Sequence, residues 1–302
     1  PIYYAAKVTG DRSVLHNFSE KLDYFLNLQS KEGWYLEYDG ADLGYLSASI
    51  SFMTKLLKFM DGVAEDRAWK EKIETSIPPA IHFASYFAYP NGFYAGTMGS
   101  RQTLHFYPHG FEVWAKKIPE AAAVAEHLAQ SIREQKLVPP KIMADRYLAY
   151  RVNEFLVTYL DAFERDHVSL EKLPWQGKEF ENYFEHACIY IKNTPHYYAL
   201  VNLAKGGVVK VFNKQKKLLT INDCGMRLQD ENGIVYSTQW IDSHYHARVQ
   251  GGKTTIEGNI YRISNELPTP LKMMALRGVL LTLGENTDAA YKIKGKIRER
   301  II

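Results

Sequence analysis

The sequence predicts a multidomain α and β protein, helical first and antiparallel β second, on three observations. Apolar residues recur every three or four positions up to about residue 193. After Pro195 they collect into short runs rich in Val, Leu and Ile. Turn signals at Gly206-Gly207, Asp230-Glu231-Asn232-Gly233 and Gly251-Gly252 separate those runs. The 302 residues then divide into a helical domain over 1–193 and an antiparallel β domain over 194–302. The boundary lies near Asn193 to His196.

In chain order, Val14 to Leu28 reads as an amphipathic helix through Leu15, Phe18, Leu22 and Phe25. Asp42 can cap a second helix whose apolar face is Leu43, Leu46, Ile50, Met53, Leu57 and Met60. Pro119 suits a first helical position, and an alanine-rich run follows to Gln135. Ile142 to Phe163 is another long helix and Phe180 to Ile191 a shorter one, giving six or seven before residue 193. His196 to Leu203, Gly207 to Asn213, Leu218 to Leu228 and Thr254 to Ile263 read as strands. The last segment reads as a strand over Leu271 to Leu283 and a charged helix over Ala289 to Ile302.

Composition narrows the function classes. A net charge of +3 argues against a general nucleic-acid binder. No run of 18 apolar residues predicts a membrane span, and no signal peptide is visible. The start at Pro1 reads as a processed product or fragment, with room upstream for an export signal. Two cysteines, Cys188 and Cys224, form no metal-type spacing. The 21 tyrosines suit sugar rings, whose apolar faces pack on aromatics, although tyrosines also fill cores.

Three clusters can carry chemistry. The first runs from Gly99 to Glu112 and brings Arg101, His105, Tyr107 and His109 together in a segment broken by Pro108 and Gly110. A guanidinium, two imidazoles and a phenol can bind an anion and move a proton, and loops concentrate such groups. The plain alternative is a polar loop whose rings pack between helices. The second cluster, Gly33 to Tyr45, sets Glu37, Asp39 and Asp42 among four aromatics. Its carboxylates can position hydroxyls or act as acid and base; for Asp42 the helix-cap reading is the simpler one. The third is Gln239 to His246. His244 and His246 share one face of a strand there, and with Asp242 they form a candidate structural zinc site. No Gly-x-Ser-x-Gly, phosphate-binding glycine loop or dinucleotide fingerprint occurs.

The helical array with aromatic-acidic loops, the Arg101-x-x-x-His105-x-Tyr107-Pro108-His109-Gly110 loop and the β part that follows together resemble the heparinase II/III-like polysaccharide lyases and their alginate-lyase relatives. Thr238-Gln239-Trp240 and Met274-Ala275-Leu276-Arg277 are similar to parts of that family's sandwich domain. The resemblance implies an α/α toroid followed by an antiparallel β-sandwich. Six or seven helices read as an incomplete toroid, or as one whose first helices precede Pro1. It further implies cleavage of a uronic-acid polysaccharide by β-elimination, with Tyr107 as base or acid, His105 as its partner, Arg101 at the carboxylate and His109 as a second candidate. Substrate-binding candidates are Tyr38, Asp39, Asp42 and Tyr45, then Glu112, and Trp240 and His244. Arg101, His105, Tyr107 and His109 are expected to face one groove bordered by Tyr38, Asp39 and the β part around His244 and His246. The expected partner is an anionic polysaccharide or oligosaccharide, and no cofactor is required.

Elimination needs donors to hold the charge of the enolate, a base at the α-carbon and an acid at the leaving oxygen. Arginine's planar fork suits the carboxylate. Two other readings stand beside this one: a toroid-type glycoside hydrolase using Glu37, Asp39 or Asp42, and a non-catalytic glycan-binding or polysaccharide-assembly protein.

Overall fold

The computed structural model describes residues 2–60, 64–138, 143–163, 172–239, 241, 245–263 and 269–283. Seven helices come first: α1 (Ile2–Thr9), α2 (Leu15–Asn27), α3 (Leu43–Phe59), α4 (Arg67–Ser85), α5 (His109–Trp114), α6 (Pro119–Arg133) and α7 (Asp145–Phe163). Asp42 caps α3, and Leu43, Leu46, Ile50, Met53 and Leu57 are its buried stripe, as the spacing predicts. Pro119 opens α6. Among the described residues no helix is long and apolar enough to cross a membrane.

The helical part contains a repeat. After α2, Ser30 N–H donates to Trp34 O, Gly33 N–H to Ser30 O, and Leu36 N–H to Leu28 O. After α4, the same three bonds recur 59 residues later, from Tyr89 to Phe93, Gly92 to Tyr89 and Ala95 to Phe87. Gly33 and Gly92 take φ of 101° and 86° at the same place in each turn. A Cβ on Gly33 would stand 2.2 Å from Pro79 O, so only glycine lets this turn lie on α4.

Between α2 and α3 lies a short hairpin, β1 (Leu36–Glu37) with β2 (Gly40–Ala41). Every strand pair among the described residues is antiparallel. A five-stranded meander runs β3 (Phe180–Phe184), β4 (Ile189–Asn193), β5 (Tyr197–Asn202), β6 (Val208–Asn213), β7 (Leu218–Asp223) in spatial order. Beside it, β8 (Arg227–Gln229) and β12 (Tyr261–Ile263) flank β9 (Val235–Ser237), and β10 (His246–Gln250) pairs with β11 (Lys253–Glu257). Helix α8 (Pro270–Leu283) follows.

Four expectations are corrected. Phe180 to Ile191 is two strands, so the change from helix to strand falls before Phe180. Its aromatic and β-branched residues pack as a hairpin, with a turn fastened from outside: Glu32 accepts the N–H groups of His186 and Ala187 at 2.8 and 3.0 Å. Thr254 to Ile263 is divided between β11 and β12, and Leu218 to Leu228 between β7 and β8. Leu271 to Leu283 lies within a helix, where Leu, Met and Ala favour helix over strand. The segment Ala289 to Ile302 lies outside the described residues.

The sheet packs on the helical part. Phe184, Ile189, Ile191, Tyr198, Leu200 and Phe212 belong to the same core as Ile77, Phe83, Phe87 and Tyr89. Phe83 meets Phe184 edge-on at 4.8 Å, and Tyr89 stacks on Phe212 at 4.8 Å.

Candidate functional site

A short hairpin between α2 and α3 shapes the site. Its strands β1 (Leu36–Glu37) and β2 (Gly40–Ala41), which lie outside the main sheet, pair Leu36 with Ala41 and Glu37 with Gly40. Tyr38 and Asp39 form the two-residue loop, with φ of 51° and 68°. Loops of this kind favour Asn-Gly or Asp-Gly, because a Cβ opposes the left-handed backbone. Asp39-Gly40 offers such a pair one residue along, yet the register puts Gly40 in the strand. Holding Tyr and Asp there costs ~1–3 kcal/mol each.

The hairpin is held from both sides. Ser100 N–H donates to Ala41 O at 2.8 Å, and the Ser100 hydroxyl to Glu37 O at 2.6 Å. Asp42 is buried; it accepts from Tyr45 N–H at 2.9 Å and from Arg101 N–H at 3.0 Å. From the β part, Lys205 Nζ donates to Thr97 O and Gly99 O at 3.1 and 2.7 Å, and Asn202 Nδ2 to Met98 O at 2.7 Å. The segment that carries Arg101 is thus fixed between the two parts of the chain.

An open cleft of about 430 Å³ results. Tyr38, Asp39, Arg101 and Gln102 line it from the helical part, and Lys205, Ser237, Gln239 and Ile263 from the β part. The Arg101 guanidinium lies 4.3 Å from the centroid of the Tyr38 ring. The Tyr38 and Tyr45 rings are 5.5 Å apart. Burial first, and then the hydrogen bond with Tyr38, pushes the Tyr45 phenol up to about 12, so it keeps its proton at neutral pH. Burial and the neighbouring Asp42 raise Glu37, against the pull of Arg101. Burial also raises Asp42, although backbone donors oppose it. Burial lowers the Lys205 ammonium. The arrangement offers a guanidinium, amides and a phenol to a polar ligand, while the Lys205 ammonium is buried and already bonded to Thr97 O and Gly99 O. A larger groove of about 580 Å³, between α1, α2 and α3, is lined mainly by apolar side chains such as Tyr4, Phe52 and Phe59.

The groups of the Arg101 loop do not share one groove. Of the four, Arg101 lines the cleft. The segment after it has no helix or strand until α5 begins at His109, which turns that ring inward toward α7. His109 is 1% exposed, and its Nε2 is hydrogen-bonded to Asp161. It faces the interior, where no polymer reaches it. Tyr107 is half-buried, with the Arg151 guanidinium 4.5 Å from its ring centroid. His105 is half-buried beside Tyr147 at 5.3 Å; burial and then Arg151 lower its pKa. Arg151 is buried, donates to Phe106 O, and leaves Nε and Nη1 without a hydrogen-bond partner.

Among the remaining candidates, Asp42 is a buried cap rather than a cleft wall, as the simpler reading had it, and Glu112 is buried in α5. Tyr38 and Asp39 line the cleft, and Tyr45 adjoins it through Tyr38. Trp240, Asp242 and His244 lie outside the described residues. His246 is exposed at the start of β10, opposite Glu257. Among the described residues no three His, Cys, Asp or Glu side chains are placed to hold a metal. Sequence reasoning missed Lys205, Gln102, Ser237 and Arg151. The first reads as a turn residue in Lys205-Gly206-Gly207, and nothing in the sequence places it beside Gly99.

Comparison with protein-family models, with curated proteins and with solved structures returned no match.

Proposed function

We propose that this chain is a polysaccharide lyase, cleaving a uronic-acid polymer by β-elimination in the cleft between its helical and β parts. The observation that carries the reading is Arg101: a guanidinium in an open cleft, backed by a tyrosine ring, with Lys205 on the opposite wall. The repeated turn after α2 and α4 supports a toroid-type array of helical hairpins, and the antiparallel sheets support the sandwich. In this reading Arg101 pairs with the carboxylate and offsets the negative charge that grows as the α-proton leaves. A tyrosine in its phenolate form takes that proton, and the phenol so formed gives it to the leaving oxygen. Tyr107 with His105 is the pair the family resemblance implies, but neither lines the cleft; Tyr38 is the phenol on its wall.

The test is a screen of uronate polymers for an unsaturated product that absorbs in the ultraviolet. On the polymer cleaved, Arg101→Ala should raise KM and lower kcat together. Tyr107→Phe and Tyr38→Phe keep their rings and remove the oxygen, so the one that abolishes turnover with binding intact carries the proton. Normal turnover in both removes tyrosine from the mechanism. Absence of any unsaturated product across the polymers sinks the lyase reading.

The hydrolase reading keeps one observation, the raised carboxyl of Glu37 near the cleft. Asp42 is already committed to backbone N–H groups, so Asp39 would have to be the second carboxylate. Reducing-end release without the unsaturated chromophore would favour it.

A further inference from the structure

We infer that Lys205, in the β part, is a positioning residue for Arg101: it sets where that guanidinium stands in the cleft. This rests on the reading that Arg101 is the group that acts there, and it names what holds Arg101 in place.

The backbone that carries Arg101 has no ladder of its own. Between the short turn Gly96–Met98 and the start of α5 at His109, the chain has neither helix nor strand. It also starts from strain, because Ala95, a buried non-glycine residue, takes φ of 55°. Such a segment keeps one shape only where its surroundings fix it.

Two buried side chains fix it from opposite parts of the chain, one by accepting and one by donating. From the helical part, the Asp42 carboxylate accepts from Arg101 N–H at 3.0 Å. From the β part, Lys205 Nζ donates to Gly99 O at 2.7 Å and to Thr97 O at 3.1 Å. The Arg101 guanidinium then lies over the Tyr38 ring, 4.3 Å from its centroid. Its place follows from the backbone that Asp42 and Lys205 hold between them.

Lys205 is itself held. Its N–H donates to Asn202 Oδ1 at 3.0 Å, and Asn202 Nδ2 donates to Met98 O at 2.7 Å, so the whole turn grips one stretch of chain. Gly206 follows with φ of 62°, and a Cβ there would stand 1.9 Å from Thr238 O. That close approach seats the turn against the chain between Ser237 and Gln239, which line the cleft. Lys205 is 3% exposed. Burying an ammonium is costly unless its donors are taken, and both of these bonds end on the segment just before Arg101. A tie of a different kind joins the same two parts elsewhere: Tyr198 donates to Tyr86 O at 2.8 Å, away from the cleft wall.

The experiment uses the whole chain and three variants. Lys205→Met keeps the stem and removes the donors, Asn202→Ala loosens the same turn, and Tyr198→Phe cuts the other tie. Native-state amide exchange reads placement without any ligand. Lys205→Met should speed exchange at the Arg101 amide about tenfold, with Ile50 in α3 as protected as before. Asn202→Ala should move the Arg101 amide in the same direction, and it decides the matter if Lys205→Met does not fold. Tyr198→Phe should leave that amide at the wild-type rate. On a polymer that the ultraviolet screen shows to be cleaved, Lys205→Met should lower kcat/KM about tenfold. In the Arg101→Ala background it should cost less than about twofold, because nothing is left to place. A merely structural role would cost the same in both backgrounds. Equal losses there overturn the assignment. So does an Arg101 amide that keeps its wild-type rate in the turn variants, or one that speeds up as much in Tyr198→Phe. Faster exchange confined to the turn variants, with no polymer cleaved, leaves Lys205 as the residue that places Arg101 and ends the lyase reading.

Discussion

Burial makes His109 harder to protonate in the folded protein than in the unfolded chain, and its surroundings explain why. One ring nitrogen is bonded to Asp161, and the other, Nδ1, is buried with no partner. Protonating Nδ1 would bury a charged donor with nothing to receive it. Burial accordingly holds His109 below its ordinary 6.5, although Asp161 pulls the other way. The unfolded chain then binds the proton first, so His109's contribution to stability is intact above 6.5 and is lost as pH falls from there toward the folded value. Burial also lowers His105 and His127, which add slopes of the same sign. His109→Gln can keep a donor for Asp161 and cannot titrate. It should cost ~1 kcal/mol at pH 8 and make the fall in stability between pH 7 and about 5 shallower. Urea unfolding at several pH values checks this; equal slopes in both proteins would show that His109 is not a source of the acid sensitivity. Sequence alone displayed this ring as one of several loop groups able to move a proton. Its role as an interior hydrogen-bonding group depends on Asp161, 52 residues away, and no local pattern encodes that pairing.

Helix α7 shows what periodicity can and cannot give. Its existence was legible from the spacing of apolar residues, but its orientation was not. Arg151, Glu154 and Asp161 point inward, while Tyr150, Leu156 and Leu160 are exposed. On the inward face both carboxylates have partners, whereas Arg151 donates to Phe106 O and keeps Nε and Nη1 without one. Glu154 accepts from Ser51 Oγ at 2.7 Å, from His109 N–H at 3.2 Å and from Lys55, and Lys58 pairs with Asp161. Glu154→Leu would strand three donors in one place and should cost ~3–5 kcal/mol. Lys72→Ala breaks only an exposed pair with Asp23 and should cost at most about 0.5 kcal/mol. Urea midpoints of the two variants compare these directly, and similar shifts would refute a buried anchoring role for Glu154. Other elements divide along the same line. The cap at Asp42 and the stripe of α3 were readable because both signals are local. Helix α4 carries Pro78 and Pro79 in its interior, which hide it from a reading by breaker residues. Phe180 to Ile191 reads as a helix by spacing and folds as a hairpin because the sheet and Glu32 hold it. Half of the cleft was legible in Tyr38, Asp39 and Arg101; its β wall was not, since only tertiary packing brings Lys205 to the Arg101 segment.

At the scale of the whole molecule, the two parts of the chain should unfold together. Their contact is a continuation of the core. Tyr89 stacks on Phe212, Phe83 and Tyr86 pack on Phe184, and Tyr198 donates to Tyr86 O at 2.8 Å. Lys205 and Asn202 add polar bonds at the cleft, so separating the parts would expose buried aromatics and strand backbone carbonyls at once. An interface of this apolar kind couples neighbouring folding units, whereas a small polar one lets them open separately. Phe212 is the sharpest probe, because it is 1% exposed in the sheet and its ring partner lies in the turn after α4. Phe212→Ala should cost ~3–5 kcal/mol. That loss should appear equally in amide exchange from α3, on the helical side, and from β5, in the sheet, and calorimetry should still record one transition. If β5 amides open at lower free energy while those of α3 keep their protection, the parts are independent. The cleft would then be a gap between two separately folding units, and the fixed placement of Arg101 on which its proposed chemistry depends would be lost whenever the sheet opened.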